Sequence, residues 1–306
     1  MSLRVDGIAR PTVHTRPEGE RLKLGIVLGA LNPHFHLAAA EAGEMLGYES
    51  VWIPEHLVLP FQMSRSPIAG KEHPPVPPTA PVFDAFVYLA FLAGRCPSLR
   101  LGTHVYNLGL RHPFIAARAI QTLDLVSGGR AEVGIGASWL EEEWVALGLD
   151  FKTRGRRLDE ALAVCKRLWT EPEVAHSGEF YSFDAVAFEP KPIQQPWPPI
   201  IVGGESGAAL RRAARDGDGW IGMGHTFESV VEPIAKLRSL REEYGTAERP
   251  FQICIGSREL SRVDLARWAD LGVTRLLVAP WARSPEAVDS LARLANDAEL
   301  EPRSSN

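Results

Sequence analysis

The chain is short of several features that would each point to a class of protein. Of its 306 residues only three are cysteine (Cys96, Cys165 and Cys254), and they are scattered, with no CxxC pair. That argues against a disulfide framework or a zinc ribbon and for a reducing cytoplasm. Positive charge is not in excess: 33 Lys and Arg against 38 Asp and Glu leave a net charge of −5. Nothing therefore favours nucleic acid as a partner. No uncharged apolar run reaches the roughly 20 residues of a membrane span, since residues 24–40 are interrupted by Asn32, Pro33, His34 and His36. Residues 1–20 lack the apolar core of a secretory signal and are expected to form a loose arm. A GxGxxG is also missing after the first apolar run, which argues against a doubly wound dinucleotide-binding sheet, the runner-up fold.

What is present is a regular alternation. Hydrophobic residues make up 45% and charged residues 23% of the chain, values of an ordinary globular protein. Short apolar, β-branched runs at 22–28, 50–54, 99–106, 130–137, 199–203, 219–223, 251–256 and 274–279 read as eight buried strands. Helical patterns separate them. This predicts one α/β domain over residues 21–300, a (β/α)8 TIM barrel, with two segments outside its rhythm. Residues 60–81 carry seven prolines and are expected to form a lid; residues 171–196 are expected to leave the barrel as a short excursion.

A parallel barrel keeps its chemistry just after its strands. The second strand, Val51-Trp52-Ile53, stops at Pro54 and delivers Glu55 and His56, a carboxylate beside an imidazole. The first is followed by His34 and His36, an H-x-H of the kind metal-dependent barrel hydrolases use. Such enzymes also need ligands after later strands, yet here strand four leads to Ala137-Ser138 and strand eight to Pro280-Trp281. Only His225 fits, so no metal site is expected. After strand three come Thr103, His104, Val105 and Asn107; after strand four, Gly136, Ala137, Ser138 and Trp139. Strand five ends in Gly203-Gly204-Glu205-Ser206 and runs into a helix, a place where backbone amides can receive an anion. Ser206 is equally a good helix cap, and Glu205 has to point away if a phosphate binds. Phe35, Phe61 and Trp139 near the mouth suit an apolar or cyclic substrate, or plain core packing.

Four segments resemble one known family: AEAGEMLGYESVWIPEHLVLP (40–60), LRLGTHVYNLGLRHP (99–113), IQTLDLVSGGRAEVGIGASWLEEEWVALGLDFKTRGRRLDEAL (120–162) and the stretch 178–224. In this order they are similar to the luciferase-like flavin and deazaflavin oxidoreductases, most of all to the branch that uses coenzyme F420. The resemblance implies the same barrel, with His56 beside the reactive ring as acid/base group and Glu55, the second catalytic candidate, where the family usually has Asp. It implies a non-proline cis peptide at His104-Val105 behind the ring. Contacts to the cofactor are implied for Thr103, Asn107, Gly136, Ala137, Ser138 and Glu142, with Gly203, Gly204 and Ser206 at its phosphate end. Phe35 and Trp139 would line the substrate pocket, and Arg111, Arg154, Arg156 and Arg157 are candidates for the acidic tail. Family members are often dimers, which this sequence does not show. The expected activity is hydride exchange between F420 and a small organic substrate. The alternatives are an FMN-dependent monooxygenase, then a metal-dependent hydrolase or a flavin-binding protein without turnover.

Overall fold

Eight strands pair in parallel, each with the next, until the last meets the first. In chain order they are β1 (Lys23–Val27), β2 (Ser50–Ile53), β3 (Arg100–Thr103), β4 (Ala131–Ile135), β7 (Ile200–Gly203), β8 (Gly219–Gly222), β9 (Gln252–Gly256) and β10 (Arg275–Val278). The barrel closes in the order β1-β10-β9-β8-β7-β4-β3-β2. This computed structural model describes residues 21–29, 31–63 and 77–303. The arm at 1–20 and residues 64–76 of the expected lid lie outside the described residues. Around the barrel run α1 (His36–Leu46), α2 (Ala85–Arg95), α3 (Pro113–Val126), α4 (Glu141–Ala146), α5 (Arg154–Thr170), α6 (Gly207–Asp216), α7 (Phe227–Glu243), α8 (Arg262–Asp270) and α9 (Ala287–Asp297). Among the described residues no helix is long and apolar enough to cross a membrane.

The strands are legible in the sequence because they are covered on both faces. β2, β4, β7, β8 and β10 are buried at every position, which removes any need for polar alternation. Inside the barrel the Trp52 indole packs with Ile201, Ile221, Cys254 and Leu277. Its Nε1 donates to Ser50 Oγ at 2.8 Å. Gly102 makes room for it: a Cβ there would lie 2.2 Å from the ring. Below the indole, Arg275 fills the floor, its guanidinium bonded to Glu49 and Glu132 at 2.7–3.0 Å. Charge is thus paired where water cannot reach.

The excursion at 171–196 holds an antiparallel hairpin, β5 (Val174–Ser177) with β6 (Ser182–Val186). Strand ends differ by one or two residues from those the sequence suggests, and the third strand by more. The third strand stops at Thr103 instead of reaching Tyr106, because a cis peptide joins His104 to Val105 and only an isolated bridge, Tyr106 to Ile135, continues the pairing. Helix α4 starts only at Glu141, because Leu140 before it is extended and Ser138 sits at φ 69°, outside the helical region.

Candidate active site at the barrel mouth

Beyond Ile53 the chain turns at Pro54, and the next two side chains part company. Glu55 is buried; one oxygen accepts from the Asn107 amide at 3.1 Å and the other from Arg111 Nη2 at 2.5 Å. The Arg111 guanidinium also lies 4.4 Å from the Tyr106 ring centre. Both carboxylate oxygens of Glu55 are therefore engaged inside the protein. His56 keeps 17% of its side chain exposed; its Nδ1 lies 3.1 Å from Glu143 Oε2, and its ring meets Trp139 edge-on at 5.8 Å. Glu143 has no exposed surface, and its Oε1 accepts from the Leu57 amide at 2.6 Å and more distantly from Val58. An ionised carboxylate only accepts, so in this pairing Nδ1 is the donor. Sequence reasoning passed over Glu143, the last of three consecutive glutamates.

On the β3 side the cis His104-Val105 peptide forms the bulge that the resemblance implies. The Thr103 hydroxyl is spent on Gly134 O at 2.7 Å, under the bulge. Val105 stands between Gly136 and Gly203: a Cβ on either would come within 2.7 or 2.8 Å of its methyls. His104 Nε2 is out of solvent and without a hydrogen-bond partner, and burial pushes the imidazole pKa down to about 4, so the ring is neutral. Asn107 is buried at the start of the turn after the bulge. Ala137, Ser138 and Trp139 are half-buried on the loop to α4, where Ser138 Oγ accepts from the Leu140 amide at 3.2 Å. Glu142 is half-buried on α4 itself.

After β7, Gly204 adopts φ 117°, which a side chain would resist. Ser206 is exposed and caps α6 by accepting from the Ala209 amide at 3.2 Å. Glu205 is engaged by the Met223 amide at 2.8 Å and His225 Nε2 at 2.9 Å, so its charge is tied to the loop after β8. His36 is buried with Nε2 3.0 Å from Leu31 O, and His225 is held by Glu205 and Ser229. Among the described residues no three His, Cys, Asp or Glu side chains are grouped to hold a metal. Phe35 packs on the main core, beside His34. Of the four arginines expected to meet an acidic tail, Arg111 is taken by Glu55 and Arg156 by Glu179, while Arg154 lies on Phe151 and Arg157 on Phe180.

Residues 13–268 match the luciferase-like monooxygenase family. The chain belongs to that family. It is 33% identical to an uncharacterized protein of Mycobacterium tuberculosis, over 86% of this chain and 91% of that one. It is 31% identical to an F420-dependent glucose-6-phosphate dehydrogenase of Kineococcus radiotolerans, over 92% of this chain and 82% of that one. A third relative, an FMNH(2)-dependent dimethylsulfone monooxygenase of Pseudomonas putida, is 32% identical over 50% of this chain and 44% of its own. Among solved structures, an F420-dependent secondary alcohol dehydrogenase shares the fold, with TM-score 0.73, 15% identity and coverage of 90% and 98%. As a member of the luciferase-like family, this chain is an oxidoreductase.

The mouth of this luciferase-like barrel fits a flat ring with a phosphate end. Its floor is the Val105 bulge, whose methyls fill the space that side chains on Gly136 and Gly203 would take. One buried imidazole nitrogen there, His104 Nε2, lacks a partner. The exposed N-terminus of α6 has its neighbouring carboxylate already occupied, which meets the condition for an anion at that end.

Proposed function

We propose that the protein is an F420-dependent oxidoreductase that exchanges a hydride with a small organic substrate. The observation that carries this reading is His56, a partly exposed imidazole at the barrel mouth whose Nδ1 is committed to buried Glu143. The cofactor, when bound, would supply the ring carbon that takes or gives the hydride. Thr103, His104, Val105, Asn107, Gly136, Ala137, Ser138 and Glu142 would border the ring, and Gly203, Gly204 and Ser206 would hold the phosphate end.

In oxidation, His56 Nε2 receives the proton of a substrate hydroxyl; in reduction it returns one to the oxygen that forms. Glu55, paired with Arg111, anchors the start of this loop in this reading and leaves the proton transfer to His56. Phe35 and Trp139 present apolar surface to the substrate. The three cysteines are buried free thiols, as suits a cytoplasmic protein. The similarity over most of the chain to an F420-dependent dehydrogenase supports the deazaflavin over FMN, whose user in Pseudomonas putida matches over half of it.

The second reading, an FMN-dependent monooxygenase, draws on that relative. Titrating the purified protein with F420 and, separately, with FMN separates the two, read by quenching of its eight tryptophans. Quenching by F420 alone is the expected result. Quenching by FMN alone would move the protein to the monooxygenases, and binding of neither would overturn both assignments.

A further inference from the structure

We infer that Glu143 is the positioning residue that fixes His56 in the one tautomer able to accept a proton at the barrel mouth. This inference rests on the reading of His56 as the acid/base group. Three observations lead to it. Glu143 is wholly buried on α4, although it follows Glu141 and Glu142 in an acidic run at the helix start. Its two oxygens have different partners: Oε1 takes the backbone amides of Leu57 and Val58, and Oε2 takes His56 Nδ1. Finally, among the described residues no lysine or arginine pairs with it, so His56 is the one side chain that can balance its charge. The carboxylate thus binds three consecutive residues of the loop after β2, and its geometry dictates where the imidazole hydrogen sits.

The chemistry follows from counting donors and acceptors. With Nδ1–H donated to Oε2, neutral His56 exposes the Nε2 lone pair, the form required of a base. When Nε2 takes a proton, the positive charge arises beside a buried carboxylate already in place, so no group has to reorganise. A glutamine of the same shape would behave differently. It has one acceptor oxygen, which the two backbone amides hold at the Oε1 position, and its NH2 group then faces Nδ1. That NH2 donates, so Nδ1 becomes the acceptor and the hydrogen moves to Nε2. Glu143→Gln therefore keeps the packing and reverses the tautomer. Trp139, edge-on to the ring, holds its plane in both cases.

The test is nitrogen-15 NMR of histidine-labelled protein without cofactor, with the His56 signals assigned through His56→Asn among the nine histidines. Wild type at pH above the imidazole titration is expected to show Nδ1 protonated and Nε2 bare; Glu143→Gln is expected to show the reverse. The wild-type spectrum alone decides if the variant fails to fold, because a bare Nδ1 there overturns the inference. With any substrate the wild type turns over, Glu143→Gln is expected to lower kcat about 100-fold or more, the usual weight of acid/base catalysis, while KM changes less than about threefold. An unchanged tautomer in a folded variant refutes the role of Glu143. A reversed tautomer with full kcat leaves Glu143 as the device that sets the ring and refutes His56 as the base.

Discussion

Removing Arg111 tests whether Glu55 is an anchor or a participant. The Glu55 side chain has no exposed surface and that of Arg111 has 9%, so the pair is buried and solvent screening takes little from it. Arg111→Ala strands a carboxylate in the protein interior with one remaining donor, the Asn107 amide. Breaking such a pair by removing one partner costs about 3–5 kcal/mol. The lost contact with the Tyr106 ring adds about 1 kcal/mol. At roughly 2–4 °C per kcal/mol for a large domain, the midpoint of thermal unfolding should fall on the order of 10 °C. Replacing both partners, Glu55→Gln with Arg111→Met, strands no charge and should recover most of that loss. The assay is calorimetry at neutral pH on the wild type, Arg111→Ala and the double variant, with turnover measured in parallel. A single Arg111→Ala variant within about 1 kcal/mol of wild type would refute the burial argument. A stable double variant whose kcat has collapsed would refute the claim that Glu55 takes no part in proton transfer.

Three further outcomes are expected. Burial holds His104 neutral with a pKa near 4 against 6.5 for the free side chain, so the unfolded chain binds more protons between those values. This group therefore supports the fold fully above pH 6.5, and up to about 3 kcal/mol is lost as pH falls towards 4; urea titrations at pH 7 and pH 5 should show a smaller pH-linked loss in His104→Asn than in wild type. In Gly136→Ala the new Cβ meets a Val105 methyl at 2.7 Å, so the stiff β-branched side chain on which the ring would rest has to shift. The expected result is cofactor affinity weakened about tenfold or more with little change in thermal midpoint, checked by the same tryptophan titration. Because His36 and His225 are each held by their own protein partners, dialysis against EDTA should leave both turnover and the unfolding midpoint unchanged.

The barrel was legible in the sequence for a physical reason. Parallel strands buried on both faces must be short, apolar and β-branched, and Val51-Trp52-Ile53 or Ile200-Ile201-Val202 can scarcely be anything else. The mouth was legible where it depends on chain position, as with His56 and the glycines after β4 and β7. It was not legible where it depends on contacts between distant residues. Glu55 and Arg111 are 56 residues apart, and nothing local to either announces the other. Glu143 was hidden differently: in Glu141-Glu142-Glu143 each residue is rotated about 100° from the last, and a run of three acids reads as a solvated helix face. Only the packing of α4 against the loop after β2 shows which of the three is turned inward. The end of β3 was hidden too, because LRLGTHVY continues as an apolar strand-like run past the residue where the regular pairing stops.

The two carboxylates beside Pro54 divide the work of the mouth by how their charges are balanced. The negative charge of Glu55 is matched permanently by Arg111, whose guanidinium does not lose its proton, so that corner stays neutral throughout any reaction. Glu143 has no such fixed partner among the described residues, and its charge is matched only when His56 carries a second proton. The same carboxylate also binds the Leu57 and Val58 amides, so it ties the His56 ring to the loop that carries it. Of the two acids, it is the one 87 residues away from His56, and not its chain neighbour, whose electrostatics the chemistry can use.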